Sequence, residues 1–471
     1  MNRRDFIKHS AAGVAATSVL LSSCKKRSSA INGKPEETEG QMTLRVNPNT
    51  GDKVSILGFG MMRLPVQAGG TARENPDSPI DQEAVNEMVD YGLAHGVNYF
   101  DTSPVYCQGL SEQSTGIALA RHPRKDYFIA TKLSNFDPST WPRKESIAMF
   151  ERSLQYLKTD YIDYLLLHSI GGSSRGKDAY ETFQCRYMDN GILEWLVEQK
   201  KKGRIRNLGF SYHGDIAIFD MLLRWHDEGK YHWDFVQIEL NYLDWHYANE
   251  INPRNTDADY LYGELHKRGI PAVIMEPLLG GRLARQPQAL VHKMHLKDSR
   301  YTPAAWAFRF AGSPEGVLSV LSGMTYIEHL KENIKTYSPL EPLKADEEQF
   351  LLDLAHDIYE LKAIPCTTCN YCMPCPYGLN IPGIFSHYNQ CIAEGMLPSI
   401  DEASLNSEQR EVKRARKAFL TAYNRAIPAA RQADHCIGCG HCLSHCPQRI
   451  DIPREMARID EFVEQLKQHT L

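Results

Sequence analysis

A carboxyl, a phenol, an ammonium and an imidazole stand at three places in this chain where apolar runs end. Asp101 and Tyr106 lie five residues apart in Tyr99-Phe100-Asp101-Thr102-Ser103-Pro104-Val105-Tyr106. Lys132 closes Ile129-Ala130-Thr131-Lys132, and His168 closes Leu165-Leu166-Leu167-His168. Taken singly, the first two have ordinary readings: an Asp at a strand end caps a turn, and a Tyr fills a core with one wet end. Taken with Lys132 and His168 they are the groups of a proton-transfer site. A lysine closing an apolar strand needs a partner, because a buried unpaired ammonium is costly, and Asp101 is the candidate.

A second set of reactive groups lies near the C-terminus. Cys366-x2-Cys369-x2-Cys372-x2-Cys375-Pro376 is followed some sixty residues later by Cys436-x2-Cys439-x2-Cys442-x3-Cys446-Pro447. Four thiolates presented on a tight turn and followed by Pro resemble the ligand arrangement of bacterial two-cluster ferredoxins. That resemblance implies two 4Fe-4S clusters, one held by Cys366, Cys369, Cys372 and Cys446, the other by Cys436, Cys439, Cys442 and Cys375. The first motif is one residue short before its last cysteine. Structural zinc and disulfides are the alternatives, and the triple close spacing ending in Cys-Pro is unlike either. Of the 12 cysteines, eight lie in these motifs and Cys24 lies near the N-terminus; Cys107, Cys185 and Cys391 are left without a shared spacing, which does not suggest a disulfide framework. For Cys107, beside Tyr106, a plain buried thiol is expected.

The elements that must position these groups are legible as a repeat. Strand-like apolar runs at 55–59, 99–100, 127–131, 163–167, 205–209, 235–239, 272–275 and 318–321 alternate with helix-like amphipathic stretches at 82–95, 111–121, 147–158, 192–202, 215–225, 260–268 and 303–310, with 327–338 after the last run. Eight strand and helix units over nearly 300 residues predict a (β/α)8 TIM barrel spanning 44–342, not an open doubly wound sheet. Gly58-Phe59-Gly60 has Arg63 where a dinucleotide loop needs its third glycine, and no helix follows at once, so it reads as strand and turn. In such a barrel the chemistry belongs at the C-terminal ends of the strands, where the four groups fall. Residues 343–471 are expected to form a small α-rich ferredoxin-like domain beginning its cysteine module near Lys362.

The segment from Phe100 to Tyr106 with Ser111-Glu112, and the run from Leu154 to His168, resemble the signatures of the aldo-keto reductases. The likeness extends over the whole barrel, and chains joining such a barrel to a ferredoxin-like tail form a subgroup of that family which this sequence resembles throughout. It implies an oxidoreductase interconverting a small carbonyl compound, sugar-like or another small polar molecule, and its alcohol. Tyr106 would be the general acid, its pKa lowered by Lys132, with Asp101 holding Lys132 and His168 orienting the carbonyl. It also implies a nicotinamide cofactor: Ser211 and Gln237, with Asn241 nearby, would hold the carboxamide, Pro277, Leu278, Gly280 and Gly323 would fall against the nucleotide, and Glu332 and Asn333 would hold the adenine. Segment 322–329 has no Arg or Lys before Lys331, and a neutral His329 cannot replace a bidentate arginine on a 2'-phosphate. NAD and NADP both stay open, as does the alternative of a lipid-anchored electron-transfer or docking protein with a non-catalytic barrel.

The N-terminus reads as targeting, not fold. Arg3-Arg4-Asp5-Phe6-Ile7-Lys8, a small-residue apolar stretch at 11–21 and Leu21-Ser22-Ser23-Cys24 resemble a twin-arginine export signal (1–23) joined to a lipobox, with Cys24 lipidated and 24–43 as tether. This implies export in folded form and a lipid anchor on the periplasmic side, where either the nucleotide arrives already bound and is recycled in place, or electrons pass between substrate and clusters. The formal net charge of -5 argues against nucleic acid as partner, and the basic runs 200–204 and 413–417 read as solvated helix faces. A redox partner is expected for the clusters.

Overall fold

The computed structural model describes residues 40–469 apart from 175, 252–254 and 362. The export signal, Cys24, most of the tether and Lys362 therefore lie outside the described residues. Residues from Gly40 onward make one unit.

Eight parallel strands close into a barrel in sequence order: β3 (Leu57–Gly60), β4 (Tyr99–Asp101), β5 (Phe128–Leu133), β6 (Ile162–Ile170), β7 (Ile205–Tyr212), β8 (Phe235–Glu239), β9 (Ala272–Met275) and β10 (Val317–Ser322). The register of β10 on β3, Val320 opposite Leu57, completes the ring. The strands are buried on both faces, which is why they read as continuous apolar runs and not as alternating ones. Tyr99, Tyr164 and Phe235 fill the interior, with ring centroids 5.0 Å (Tyr99 to Tyr164) and 5.1 Å (Tyr164 to Phe235) apart. The barrel is thus a packed core and not a pore.

Helices Gln82–Ala94, Ser111–Leu119, Arg143–Leu157, Ile192–Lys201, Ile216–Asp227, Ala258–Lys267, Pro303–Gly312 and Ile327–Tyr337 (α1 to α8) wrap it. The first shows the cause: Val85, Met88, Val89 and Gly92 are buried at helical spacing, and the Asp81 carboxylate caps the N-terminus by accepting from the Ala84 amide. Two features escape the apolar repeat. An antiparallel hairpin, β1 (Leu44–Val46) and β2 (Lys53–Ser55), precedes the barrel. Its turn residue Asn47 donates to the Tyr164 hydroxyl (3.0 Å) and to Asn207 Oδ1 (3.2 Å), which fastens it to β6 and β7. Short helices Asp244–Ile251 and Gln288–Lys297 occupy the connections after β8 and β9.

The expected division at 342/343 does not coincide with the division between apolar cores. Helix α9 (Ala345–Glu360) packs Leu351, Leu354, Ala355 and Ile358 into the barrel's core, whereas a second core begins at Ile364. That core joins α10 (Ile381–Ala393), α11 (Arg410–Ala426) and α12 (Ile452–Gln468) through Phe385, Phe419, Met456 and Phe462. The basic run 413–417 is only partly a solvated face. Arg416 is buried, and its guanidinium donates to the carbonyls of Leu405, Ser407 and His469, because three inward-facing carbonyls there need a donor. Among the described residues no helix is long and apolar enough to cross a membrane.

Candidate active site

The four predicted groups meet at the C-terminal mouth of the barrel. Asp101 ends β4, Lys132 lies in β5 and His168 in β6, while Tyr106 follows β4 on a turn in which Cys107 and Gln108 both take left-handed backbone angles (φ 49° and 57°). Cys107 is buried, as expected, and its thiol reaches toward the carbonyls of Met61 and Met62. Lys132 Nζ donates to Asp101 Oδ1 (2.6 Å) and to the Thr102 carbonyl (2.9 Å), and it sits 4.8 Å from the centre of the Tyr106 ring. Burial raises the Asp101 carboxyl's pKa while Lys132 pulls it back, and burial lowers that of Lys132 while Asp101 pulls it back.

The Tyr106 phenol runs against expectation. Its pKa is pushed well up, first by burial and then by the charges of Asp101, Tyr371 and Glu276, and the cation that opposes this is Arg73. Lys132 is committed to Asp101 instead. His168 is kept neutral, mainly by burial and then by the positive charges of Lys132 and Arg186. Its Nδ1 lies 2.6 Å from Ser134 Oγ, and its ring stands edge-on to Tyr106 at 5.8 Å. A hydroxyl donating to Nδ1 fixes the tautomer that carries a proton on Nε2.

A cavity of about 1460 Å³ opens over these groups, lined among others by Asp101, Tyr106 and His168. It exceeds the roughly 300–1,000 Å³ of an ordinary small-ligand pocket, leaving room for a dinucleotide beside a substrate. Gln237, Pro277, Leu278, Gly280, Gly323, Glu332 and Asn333 all line it; Ser211 and Lys132 are not among its lining residues. Gln237 is buried, its Nε2 lies 3.3 Å from the Met275 sulfur, and its Oε1 has no partner. An orphaned amide oxygen in a cavity wall fits a ligand amide donor. Ser211 Oγ accepts from the Ser169 amide (2.8 Å), Asn333 donates to Ser322 Oγ (3.0 Å), and Asn241 donates to Asp244 Oδ2 (2.7 Å). Glu332 accepts from Thr302 (2.6 Å).

Among the groups of this cavity that sequence reasoning missed are Arg63, Arg285, Glu239 and His213. Arg63 and Arg285 supply cations that segment 322–329 lacks, whereas Lys331 lies over the Tyr91 ring at 5.3 Å and is absent from the lining. Glu239 is pushed well above the usual carboxyl range, first by burial and then by Asp244 and Glu276, and His213 beside it is held down to about 4 by burial. No spacing or motif marks any of them; only the closing of the barrel brings them together.

The tail forms part of the same cavity. Thr367, Cys369 and Tyr371 of the first cysteine motif and Cys446, Gln448 and Arg449 of the second face it. Contacts that fix the tail there include Asn370 Nδ2 donating to the Arg73 carbonyl (2.8 Å), Arg63 to the Thr367 carbonyl (3.4 Å) and Gln448 to Glu239 Oε1 (2.8 Å). Gly280 (φ +66°) lies so close to Thr367 that a Cβ would come within 2.6 Å of its backbone.

The thiols fall into two neighbourhoods. Burial raises the Cys446 thiol to about 12, with Cys369 and Cys366 as the next causes, and raises Cys442 to about 11, with Cys436, Cys439 and Cys375 nearby. Cys446 thus stands near thiols of the first motif and Cys375 near Cys442 of the second, while Cys372 feels both Cys446 and Cys442. Among the described residues no three His, Cys, Asp or Glu groups converge tightly enough to hold a single metal ion.

A sequence model described as the Aldo/keto reductase family matches residues 57–349. L-galactose dehydrogenase of Arabidopsis thaliana is 28% identical over 327 residues, 65% of this chain and 92% of its own length. D-arabinose 1-dehydrogenase of Saccharomyces cerevisiae is 31% identical over 158 residues, 31% of this chain and 42% of its own. Among solved structures, the holo form of an aldo-keto reductase from Bacillus halodurans covers 67% of this chain and 96% of its own with a TM-score of 0.50 at 24% identity, which speaks to the fold. The eight-stranded barrel and the match across it make this chain a member of the aldo/keto reductase family, and an oxidoreductase.

Proposed function

We propose that the protein interconverts a small, sugar-like carbonyl compound and its alcohol at Tyr106, and exchanges the electrons with a redox partner through two 4Fe-4S clusters. The observation that carries the coupling is that Cys369 and Cys446 line the same cavity as Tyr106 and His168. The sugar class is supported by the names of the two relatives. When bound, a nicotinamide supplies or takes the hydride and the clusters carry single electrons.

The chain's own residues then do the following. Tyr106 Oη, a phenol that is protonated at neutral pH and that burial makes a still weaker acid, hands its proton to the stronger base, the alkoxide formed on reduction. With the Ser134 hydroxyl donating to Nδ1, 2.6 Å away, His168 would carry its proton on Nε2 and donate it to the carbonyl oxygen. Asp101 holds Lys132 under the Tyr106 ring. Gln237 Oε1 would accept from the nicotinamide amide with Ser211 beside it, and Glu332 and Asn333 would hold the adenine. Arg63 and Arg285 are the cavity cations within which a 2'-phosphate is accommodated if the nucleotide is NADP. One cluster would be held by Cys366, Cys369, Cys372 and Cys446, the other by Cys436, Cys439, Cys442 and Cys375. A cubane spreads its thiolates more widely than a zinc ion, whose sulfurs sit about 2.3 Å from the metal. The thiol neighbourhoods suit the cubane. The sequence from Arg3 to Cys24 supports folded export and a lipid anchor on the periplasmic side, with the nucleotide already bound.

Anaerobic purification from the membrane fraction tests this. Absorbance, iron and acid-labile sulfide matching two four-iron clusters, with nucleotide released on denaturation, are expected. Zinc in place of iron refutes the clusters. Tyr106→Phe should leave the cluster spectrum intact and abolish both turnover and reduction of the clusters by substrate; reduction that persists removes Tyr106 from the electron path.

A further inference from the structure

Arg73 belongs to no motif, yet its side chain is arranged as a binding group. It lies in the loop after β3 and lines the cavity with Tyr106. Nη2 donates to the Tyr371 hydroxyl (3.1 Å), the guanidinium stacks 4.8 Å from the centre of the Tyr371 ring, and Asn370 donates to the Arg73 carbonyl (2.8 Å). Nη1 is buried and has no partner. Its neighbour Glu74 makes no ion pair with it; that carboxylate accepts from the Thr71 amide (2.8 Å) and hydroxyl (3.2 Å). Glu276, the other acid whose charge reaches Tyr106, accepts from the Gly280 amide (2.6 Å). Among the described residues no carboxylate pairs with Arg73. A buried, unpaired guanidinium nitrogen is expensive, and a guanidinium already clamped at one nitrogen loses little freedom when the other binds an anion.

We propose that Arg73 receives a carboxylate on the substrate, so that the preferred carbonyl compound is a sugar acid, not a neutral sugar, and that Tyr371 and Asn370 of the C-terminal segment are the residues that hold Arg73 in place. This rests on the reading of Tyr106 as the site of carbonyl chemistry, since Arg73 is close enough for its charge to act on that phenol. It also gives the tail a role in substrate selection.

The test uses the full-length protein and two probes differing at one carbon, D-galacturonate and D-galactose, titrated calorimetrically. The wild type should bind the uronate at least tenfold more tightly, since a charge-assisted hydrogen bond is worth about 1.5–3 kcal/mol. Arg73→Met should erase the preference. Arg73→Lys, which keeps the charge without the fork, should retain part of it, and Tyr371→Phe should weaken uronate binding without changing that of galactose. Equal affinity of the wild type for the two sugars, including none for either, overturns the proposal, as does an Arg73→Met protein that keeps the preference. Wild-type turnover of a neutral aldehyde, 4-nitrobenzaldehyde, is scored separately. A protein that prefers the uronate but reduces no aldehyde refutes the carbonyl chemistry and leaves the anion site standing.

Discussion

Replacing Asp101 by Asn keeps the shape of the site and removes one charge of a pair whose side chains are 0% (Lys132) and 3% (Asp101) exposed. Lys132 is then left with the Thr102 carbonyl at 2.9 Å and a neutral amide. Breaking a buried pair from one side costs about 3–5 kcal/mol, because the remaining ion has lost its compensation and cannot return to water. With an unfolding entropy of about 2.1 cal/mol/K per residue, a unit of this size changes by roughly 0.9 kcal/mol per degree, so the variant should melt about 3–6 °C below the wild type. The deficit should depend on pH. Burial already lowers the pKa of Lys132, and of the effects that oppose it the two largest come from Asp101, with the Glu112 charge a smaller third. In the variant the folded pKa falls further, while the unfolded lysine stays near about 10.4. Between those values the unfolded chain binds a proton that the folded one does not, so stability rises with pH. Circular-dichroism melts of both proteins at about pH 7 and about pH 9.5 should show the gap narrowing. A variant that melts with the wild type at neutral pH, or a gap that does not change with pH, would refute the buried ion pair.

Other perturbations test neighbouring parts of the argument. Burial raises the Glu112 carboxyl to about 7 against hydrogen bonds from Thr131 and Ser153. Its contribution is therefore fully present below the unfolded value and is lost as pH rises through 7; Glu112→Gln should remove ~3 kcal/mol of pH-dependent stability across that window, read as a flatter melting-temperature profile. Gly280→Ala forces a left-handed residue, at a cost of about 1–2 kcal/mol, and drives a Cβ into the Thr367 backbone; amide exchange across residues 366–372 should speed up while the strands stay protected. Ser134→Ala frees the His168 tautomer and should lower kcat by roughly tenfold or more with little change in KM, and an unchanged kcat removes Ser134 from the site.

The barrel was legible because its physics is local. Fully buried parallel strands demand unbroken apolar runs, and the helices over them demand apolar residues at a period near 3.6; each of the eight runs from 55–59 to 318–321 falls on a barrel strand. The hairpin β1–β2 was not legible, since strands of three residues with side chains of mixed exposure carry no periodicity. Arg416 read as surface because its three carbonyl partners are 9 to 53 residues away. The same holds for the docking of the tail, where Arg73 meets Asn370 and Glu239 meets Gln448 across 297 and 209 residues.

By itself the sequence determined which groups stand at the strand ends, because residue type and distance from an apolar run are properties of a short segment. Tertiary structure alone decided their electrostatics. Lys132 was expected to lower the Tyr106 pKa; instead Asp101 takes its charge, burial raises the phenol, and the opposing cation is Arg73, thirty-three residues upstream in a loop held by the C-terminal segment. Protonation depends on what surrounds a group on every side, and at this cavity those surroundings come from distant parts of the chain.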